Sequence, residues 1–340
     1  MADSAPEAKT QTRWVQTAVP QKPAEGGYPV PKLSDFKAVV EPVPTEADLA
    51  DGEVLVRNHF LSPDPYIVSM IMANEANVGK TVWAGAAGEV VISKSDALAV
   101  GDLVVGGGSS GSQEYFRSQA SKVNKFPGDA ATLSASLGVC GMPGVTAYLA
   151  TRDILGADLT GKTVVVTGAA GAVGSAAVQI AKLLGAAKVV GLAGQDSKCK
   201  HVVEKFGVDH MLNYKSGTLA ADLKALAPFH AFYDNTGGPA AKLIKALLVD
   251  AAPVAKVGSI GGDSTTEDDK RLKQQGFYAG GIVDQWPAAI GQLVKWVGAG
   301  KIKFDETRVK GIESVPQAFI NQRLGKQLGK MIVDLREEAK

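Results

Sequence analysis

In the first third of the chain the apolar residues come in short runs cut by glycine and proline, as in GEVLVRNHF (52–60) and GDLVVGGG (101–108). Such runs read as strands joined by tight turns and predict a β-barrel-like domain from Trp14 to about Pro127. From about Thr132 the texture changes. An alanine-rich helix leads to the strand KTVVVTG (162–168), a glycine-rich turn follows, and AAVQIAKLL then carries its apolar residues at helical spacing. Strand candidates at KVVGLA (188–193), AFYDNTG (231–237) and APVAKVGSIGG (252–262) alternate with helical segments. That alternation predicts a parallel, doubly wound sheet of the dinucleotide-binding kind. After a helix at AAIGQLVKWVGAG (288–300), residues 301–335 hold two strand-like runs around a short helix, and they are expected to return to the first domain. The expected fold class is therefore α/β: a Rossmann doubly wound parallel sheet over 132–304, plus a barrel domain from 14–131 and 305–340. Residues 1–13 are expected to be a disordered tail.

A chain of 340 residues is long enough for two domains sharing one cleft. With 36 basic against 35 acidic residues and no long like-charge run, the sequence points away from nucleic acid and membrane surfaces, toward a small-molecule ligand. No apolar run reaches the roughly 20 residues needed to span a bilayer. The first residues, MADSAPEAKTQTR, lack the apolar stretch of a secretory signal. Only 2 cysteines are present, Cys140 and Cys199, which suits a reducing compartment and gives a cytoplasmic expectation.

The strongest local motif is TGAAGAVGSAAVQIAK (167–182), a strand that ends in Gly168, Gly171 and Gly174 and runs into a helix. Glycines at such a turn let a pyrophosphate approach the free N–H groups and positive dipole end of the helix. The next strand ends at Ala193-Gly194, where an NAD site would place an acidic residue on the ribose hydroxyls. Lys198 and Tyr214 instead offer a cation and a phenol suited to a ribose 2′-phosphate, which favours NADPH. Asp196, two residues past Gly194, keeps the NAD alternative open.

At this point several motifs agree: LSPDPY (61–66), GMPGVTAY (141–148), AAGAVGSAAVQIAK, GQDSK (194–198), NYK (213–215), DNTGG (234–238) and QLGK (327–330). Together, and in this order, they resemble the zinc-independent medium-chain reductases of the prostaglandin reductase and alkenal double-bond reductase family. Leukotriene B4 12-hydroxydehydrogenase and bacterial curcumin reductase belong to the same family. The resemblance runs from Trp14 to nearly the end of the chain. It implies a GroES-like substrate domain beside the Rossmann domain, NADPH as cofactor, usually a homodimer, and reduction of the C=C bond of α,β-unsaturated ketones and aldehydes.

Carried over by motif, the resemblance puts Met142 and Thr146 near the nicotinamide. Gly171, Ala172, Val173 and Gly174 fall on the pyrophosphate, and Gly194, Lys198 and Tyr214 on the adenosine ribose and its 2′-phosphate. Asn235, Gly258, Ile260, Ile282 and Gln327 match further positions along the cofactor. Tyr66 matches the substrate-facing tyrosine of the DPY motif, and Tyr278 is a second phenol for the same task. The chain also departs from the family. A tyrosine expected shortly after Gly258 is absent, with Asp263 in or near its place; Gly281 stands where a bulky aromatic is usual; and Gln327 replaces an asparagine.

Hydride addition to an enone β-carbon develops charge on the carbonyl oxygen, so the site needs a hydrogen-bond donor there and a proton for the α-carbon. Tyr66, Tyr278 and a cofactor ribose hydroxyl all qualify. No metal site is expected, because His59, His201, His210 and His230 show no ligand spacing with each other or with the 2 cysteines. Cys140 and Cys199 read as core and helix residues. Two other functions share the same cofactor motifs: quinone reduction, and NADPH binding without catalysis.

Overall fold

The computed structural model describes residues 9–22, 29–106, 110–257 and 269–336. Its contacts divide the chain into two compact units: Met1–Leu137, Thr307–Gln327 and Met331–Lys340 form the first, Gly138–Glu306 and Leu328–Lys330 the second.

The first unit is built on a seven-stranded sheet. Its central strand, Glu53–Ser62, pairs antiparallel with Lys330–Asp334, Gly85–Ser93 and Tyr115–Gln119. Both faces of that strand are covered, which explains its nearly unbroken apolar run. Val54 and Val56 pack with Val90, Val104 and Phe116, while Leu55 packs with Leu49 and Tyr115. Residues Thr307–Gln327 and Met331–Lys340 count with this unit. Helix Val315–Arg323 sets Val315, Ala318 and Phe319, at i, i+3 and i+4, into one cluster with Leu61, Val68, Met72 and Met331.

The tail boundary needs correction. A strand at Thr10–Gln16 pairs with Phe36–Pro42, so Thr10 to Arg13 lie in a sheet and not in a disordered tail. Polar contacts hold it: Gln11 accepts the Tyr115 N–H at 2.8 Å, and Arg13 meets Glu41 at 2.8 Å. A hydrophobic scan is blind to such a strand. Residues Leu133–Leu137 form a short 3-10 segment that counts with the first unit, and the first α-helix starts only at Met142.

Among the described residues the second unit holds six strands: β1 (Thr163–Val166), β2 (Lys188–Ala193), β3 (His210–Asn213), β4 (Ala231–Asp234), β5 (Pro253–Val257) and β6 (Lys273–Phe277). They pair in parallel in the order β3-β2-β1-β4-β5-β6. The helices are α1 (Met142–Ala150), α2 (Ala172–Leu183), α3 (Asp196–Phe206), α4 (Leu219–Leu226), α5 (Gly238–Ala246) and α6 (Trp286–Gly298). Val165, Val190, Phe232 and Val254 from four adjacent strands share one core cluster with Leu223 of α4 and Ile244 of α5. This is the doubly wound sheet that the sequence predicts, with its order reversing between β1 and β4. Dinucleotides bind at such reversals, outside the carboxyl ends of the strands. β6, KQQGF, has no apolar pattern and sits at the sheet edge, largely exposed.

Candidate cofactor and active site

In the second unit the candidate residues lie just past the carboxyl ends of parallel strands. Gly171 to Gly174 follow β1, Gly194 follows β2, Tyr214 follows β3 and Asn235 follows β4. Adjacent strands are about 4.8 Å apart, so these four ends form one continuous ledge. Asn235 is fixed at the reversal. Its backbone N–H donates to the Thr167 hydroxyl at 2.8 Å and its Nδ2 to the Thr167 carbonyl at 2.7 Å.

The glycine turn is shaped by close approach. Gly168 has φ +63°, a left-handed conformation, and a Cβ on Gly174 would lie 2.2 Å from the Gly168 carbonyl oxygen. Helix α2 therefore starts hard against the end of β1. Gly171 is its N-cap and no side chain caps it, so first-turn N–H groups are left for an anion. From the tail, Gly329 bridges to Gly171 and donates its N–H to the Ala170 carbonyl at 2.9 Å, bracing the turn from behind.

Two lysines and a phenol cluster at the ends of β2 and β3. Lys198, on α3, is half-buried. Burial, then the charge of Lys215, hold its ammonium below the usual lysine range. The Lys215 ammonium lies 5.9 Å from the Tyr214 ring centroid. Tyr214 reaches back over the end of β2: a Cβ on Gly194 would come within 2.6 Å of the phenol oxygen. Two cations that disfavour one another, beside a phenol, are the residue set that a phosphate dianion would relieve. Lys215 is the member that sequence reasoning missed. Along an extended strand it would point away from Tyr214, but the chain turns here, with the Ser216 N–H donating to the Asn213 carbonyl. Asp196, the open argument for NAD, accepts a hydrogen bond from Asn213 Nδ2 at 2.8 Å.

The GMPG motif opens α1 through Pro143 in its first turn. A Cβ on Gly144 would fall 1.8 Å from the Val139 carbonyl, so only glycine allows this turn. The Thr146 hydroxyl donates to the Met142 carbonyl at 2.7 Å, and the buried Tyr233 of β4 donates to the Thr146 carbonyl at 3.1 Å. Tyr233 thus ties α1 to the sheet, a role its sequence context does not announce. The segment 279–281 packs on α1, and Arg152 reaches Gln285 at 3.1 Å. Ile282, half-buried between these anchors, therefore sits on the α1 side.

Cys140, before GMPG, is buried, and burial pushes its thiol up to about 12; it is a neutral core group and no nucleophile. Cys199 is buried in α3. The histidines are dispersed: His59 lies 3.5 Å from Glu89, His201 is paired with Asp305 at 2.7 Å, and His230 accepts the Thr163 N–H at 3.1 Å. His210 is exposed in β3. Among the described residues no group of three or more His, Cys, Asp or Glu side chains is placed to hold a metal ion.

Two family models match the chain, an N-terminal domain of oxidoreductase over residues 24–126 and a zinc-binding dehydrogenase over 172–295. The chain is 37% identical over 330 residues to prostaglandin reductase 1 of Bos taurus, covering 90% of this chain and 95% of the relative. It is 32% identical over 348 residues to the NADPH-dependent curcumin reductase of Escherichia coli, covering 94% and 96%. The chain belongs to the zinc-independent medium-chain reductases of the prostaglandin and curcumin reductase type. Among solved structures, CurA from Vibrio vulnificus in complex with NADPH matches with TM-score 0.83 and 28% identity, over 96% of this chain and 99% of that one.

The remaining family positions are spread over both units. Tyr66, in the first, leads into a single π-helical turn, Ile67–Ile71; its half-buried ring packs on Trp83, centroids 5.8 Å apart. Gln327 ends the Thr307–Gln327 stretch of the first unit, and Leu328–Lys330 count with the second. Tyr278 follows β6, two strands beyond β4; it is 74% exposed, with its ring over Gly280. The structure thus separates it from the ledge that holds Asn235. Gly258, Ile260 and Asp263 lie outside the described residues. Among the described residues no helix is long and apolar enough to cross a membrane.

Proposed function

We propose that this protein is an NADPH-dependent reductase of the C=C bond of α,β-unsaturated ketones and aldehydes. The observation that carries the cofactor half is the cluster of Lys198, Lys215 and Tyr214 past the ends of β2 and β3, where Asp196 accepts a hydrogen bond from Asn213. The uncapped start of α2 accommodates the pyrophosphate. The relatives support the reaction half, since one is a prostaglandin reductase and another an NADPH-dependent curcumin reductase, and curcumin is a conjugated enone.

When bound, NADPH supplies the hydride for the substrate β-carbon. Negative charge would then develop on the carbonyl oxygen, where Tyr66 is the phenol we assign to hydrogen-bond it, and the α-carbon would take a proton from that phenol or from water to give the saturated product. Met142, Thr146, Asn235 and Ile282 are assigned to orient the cofactor. Tyr278, exposed and with its ring against Gly280, is the second phenol proposed for the same task.

The test is NADPH consumption against a panel of simple enones, enals and quinones, repeated with NADH. Turnover of enones with NADPH well above that of quinones, and little with NADH, supports the proposal. Turnover confined to quinones would make it a quinone reductase, and tight NADPH binding without turnover a binding protein.

A further inference from the structure

An acidic residue in the first turn of α3 is out of place beside a 2′-phosphate. The helix N-terminus and two lysines favour an anion there, whereas a carboxylate repels one. In an NAD enzyme that carboxylate would hold the ribose hydroxyls. Here it has a different partner. Asp196 Oδ1 accepts from Asn213 Nδ2 at 2.8 Å, and Asn213 Oδ1 accepts the Lys215 backbone N–H at 3.0 Å. One side chain, Asn213, therefore bonds the start of α3 with its amino group and the turn after β3 with its carbonyl. That turn carries Tyr214 and Lys215, and the first turns of α3 carry Asp196 and Lys198.

Resting on the NADPH reading above, we propose that Asp196 and Asn213 form a positioning latch. It holds Tyr214 and Lys215 toward Lys198 and sets the discrimination between NADPH and NADH, with Asp196 making no contact to the ribose. Without the latch, Lys215 on an exposed turn would have to face a second cation, Lys198, against their mutual repulsion. Tyr214 is 45% exposed and Lys215 lies in the same exposed turn, so packing alone does not hold them. The backbone of the turn is fixed independently by the Tyr214 N–H to the Ala193 carbonyl at 3.0 Å, so the sheet survives loss of the Asn213 side chain.

The test measures dissociation constants of NADPH, NADH and adenosine 2′,5′-bisphosphate by titration calorimetry for the full chain and two variants. Asn213→Ala removes both latch bonds without changing charge. It is expected to weaken NADPH and the bisphosphate by about tenfold, the size of a charge-assisted hydrogen bond, while NADH stays within twofold. Asp196→Asn keeps an acceptor for Asn213 and removes the repelling charge, and is expected to hold NADPH as tightly as the parent or tighter. An Asn213→Ala variant that keeps the parent's NADPH to NADH ratio, with unchanged Tm, overturns the latch. So does an Asp196→Asn variant that loses NADPH and NADH alike, because Asp196 would then be a ribose ligand. A parent protein that binds NADPH and NADH equally would instead remove the cofactor reading itself.

Discussion

At the scale of single residues, chemistry depends on what holds a side chain as much as on its type. Tyr66 is held by Trp83 and by the Phe36, Leu61 and Met72 cluster, and it opens a π-helical turn, a backbone form common at functional sites. If its phenol meets the charge that appears on the substrate oxygen, Tyr66→Phe should lower kcat by up to about a hundredfold, as expected for a principal oxyanion donor. NADPH affinity should stay within about twofold, since the lost bond matters in the transition state. Steady-state kinetics with parallel binding titrations read this directly, and equal losses in kcat and cofactor affinity would assign Tyr66 to packing. The places of Lys198 and Tyr214, past the ends of β2 and β3, are readable from the sequence because a strand end followed by a helix or turn is a recognisable pattern. Lys215, Tyr233 and the Asp196–Asn213 pair are not, because their roles depend on which partner a turn brings within reach.

At the scale of elements, the turn between β1 and α2 is the tightest local constraint. Gly174→Ala would put a Cβ 2.2 Å from the Gly168 carbonyl, a backbone atom that cannot swing aside. The variant should lose about 2 kcal/mol or more of stability, as overpacking against backbone does, and bind NADPH far more weakly. Chemical denaturation and a binding titration check both; parent-like values would mean that α2 can move away from β1 at little cost. This element was legible because sequence spacing and steric need coincide. Strand β6 was not, because a polar edge strand lacks the alternation that marks a half-buried one. The start of the strand at Thr10–Gln16 escaped for a related reason: its first residues, Thr10 to Arg13, are polar and are held by the ladder with Phe36–Pro42 and by side-chain hydrogen bonds, while its apolar anchors, Trp14 and Val15, come only after them.

At the scale of the whole molecule, the last strand closes the first unit through one carboxylate. Asp334 is buried, which alone would raise its pKa, but Arg336 and Lys310 outweigh burial and hold it at about 2. Arg336 also lies over the Phe60 ring at 4.4 Å, on the neighbouring strand. Because the folded pKa lies below the unfolded one, the contribution is full above about pH 4 and is lost as pH falls through about 2. Asp334→Asn should therefore cost about 2 kcal/mol at pH 7, and the difference from the parent should shrink toward zero on acidification to pH 2. Urea unfolding of both proteins across that range measures it; a difference independent of pH would mean that packing, not charge, makes the contribution. The fold class was legible from the change in hydrophobic period, while the division at Leu137 and the strand that starts at Thr10 depend on contacts that no periodicity encodes.

The central claim is that hydride goes to carbon beta to a carbonyl, not to the carbonyl itself. Incubating the protein with one simple enone and NADPH deuterated at its transferable position, then locating the label by NMR and mass spectrometry, tests it most directly. The account predicts a saturated ketone carrying one deuterium at the β-carbon. An allylic alcohol with deuterium on the carbinol carbon would contradict it.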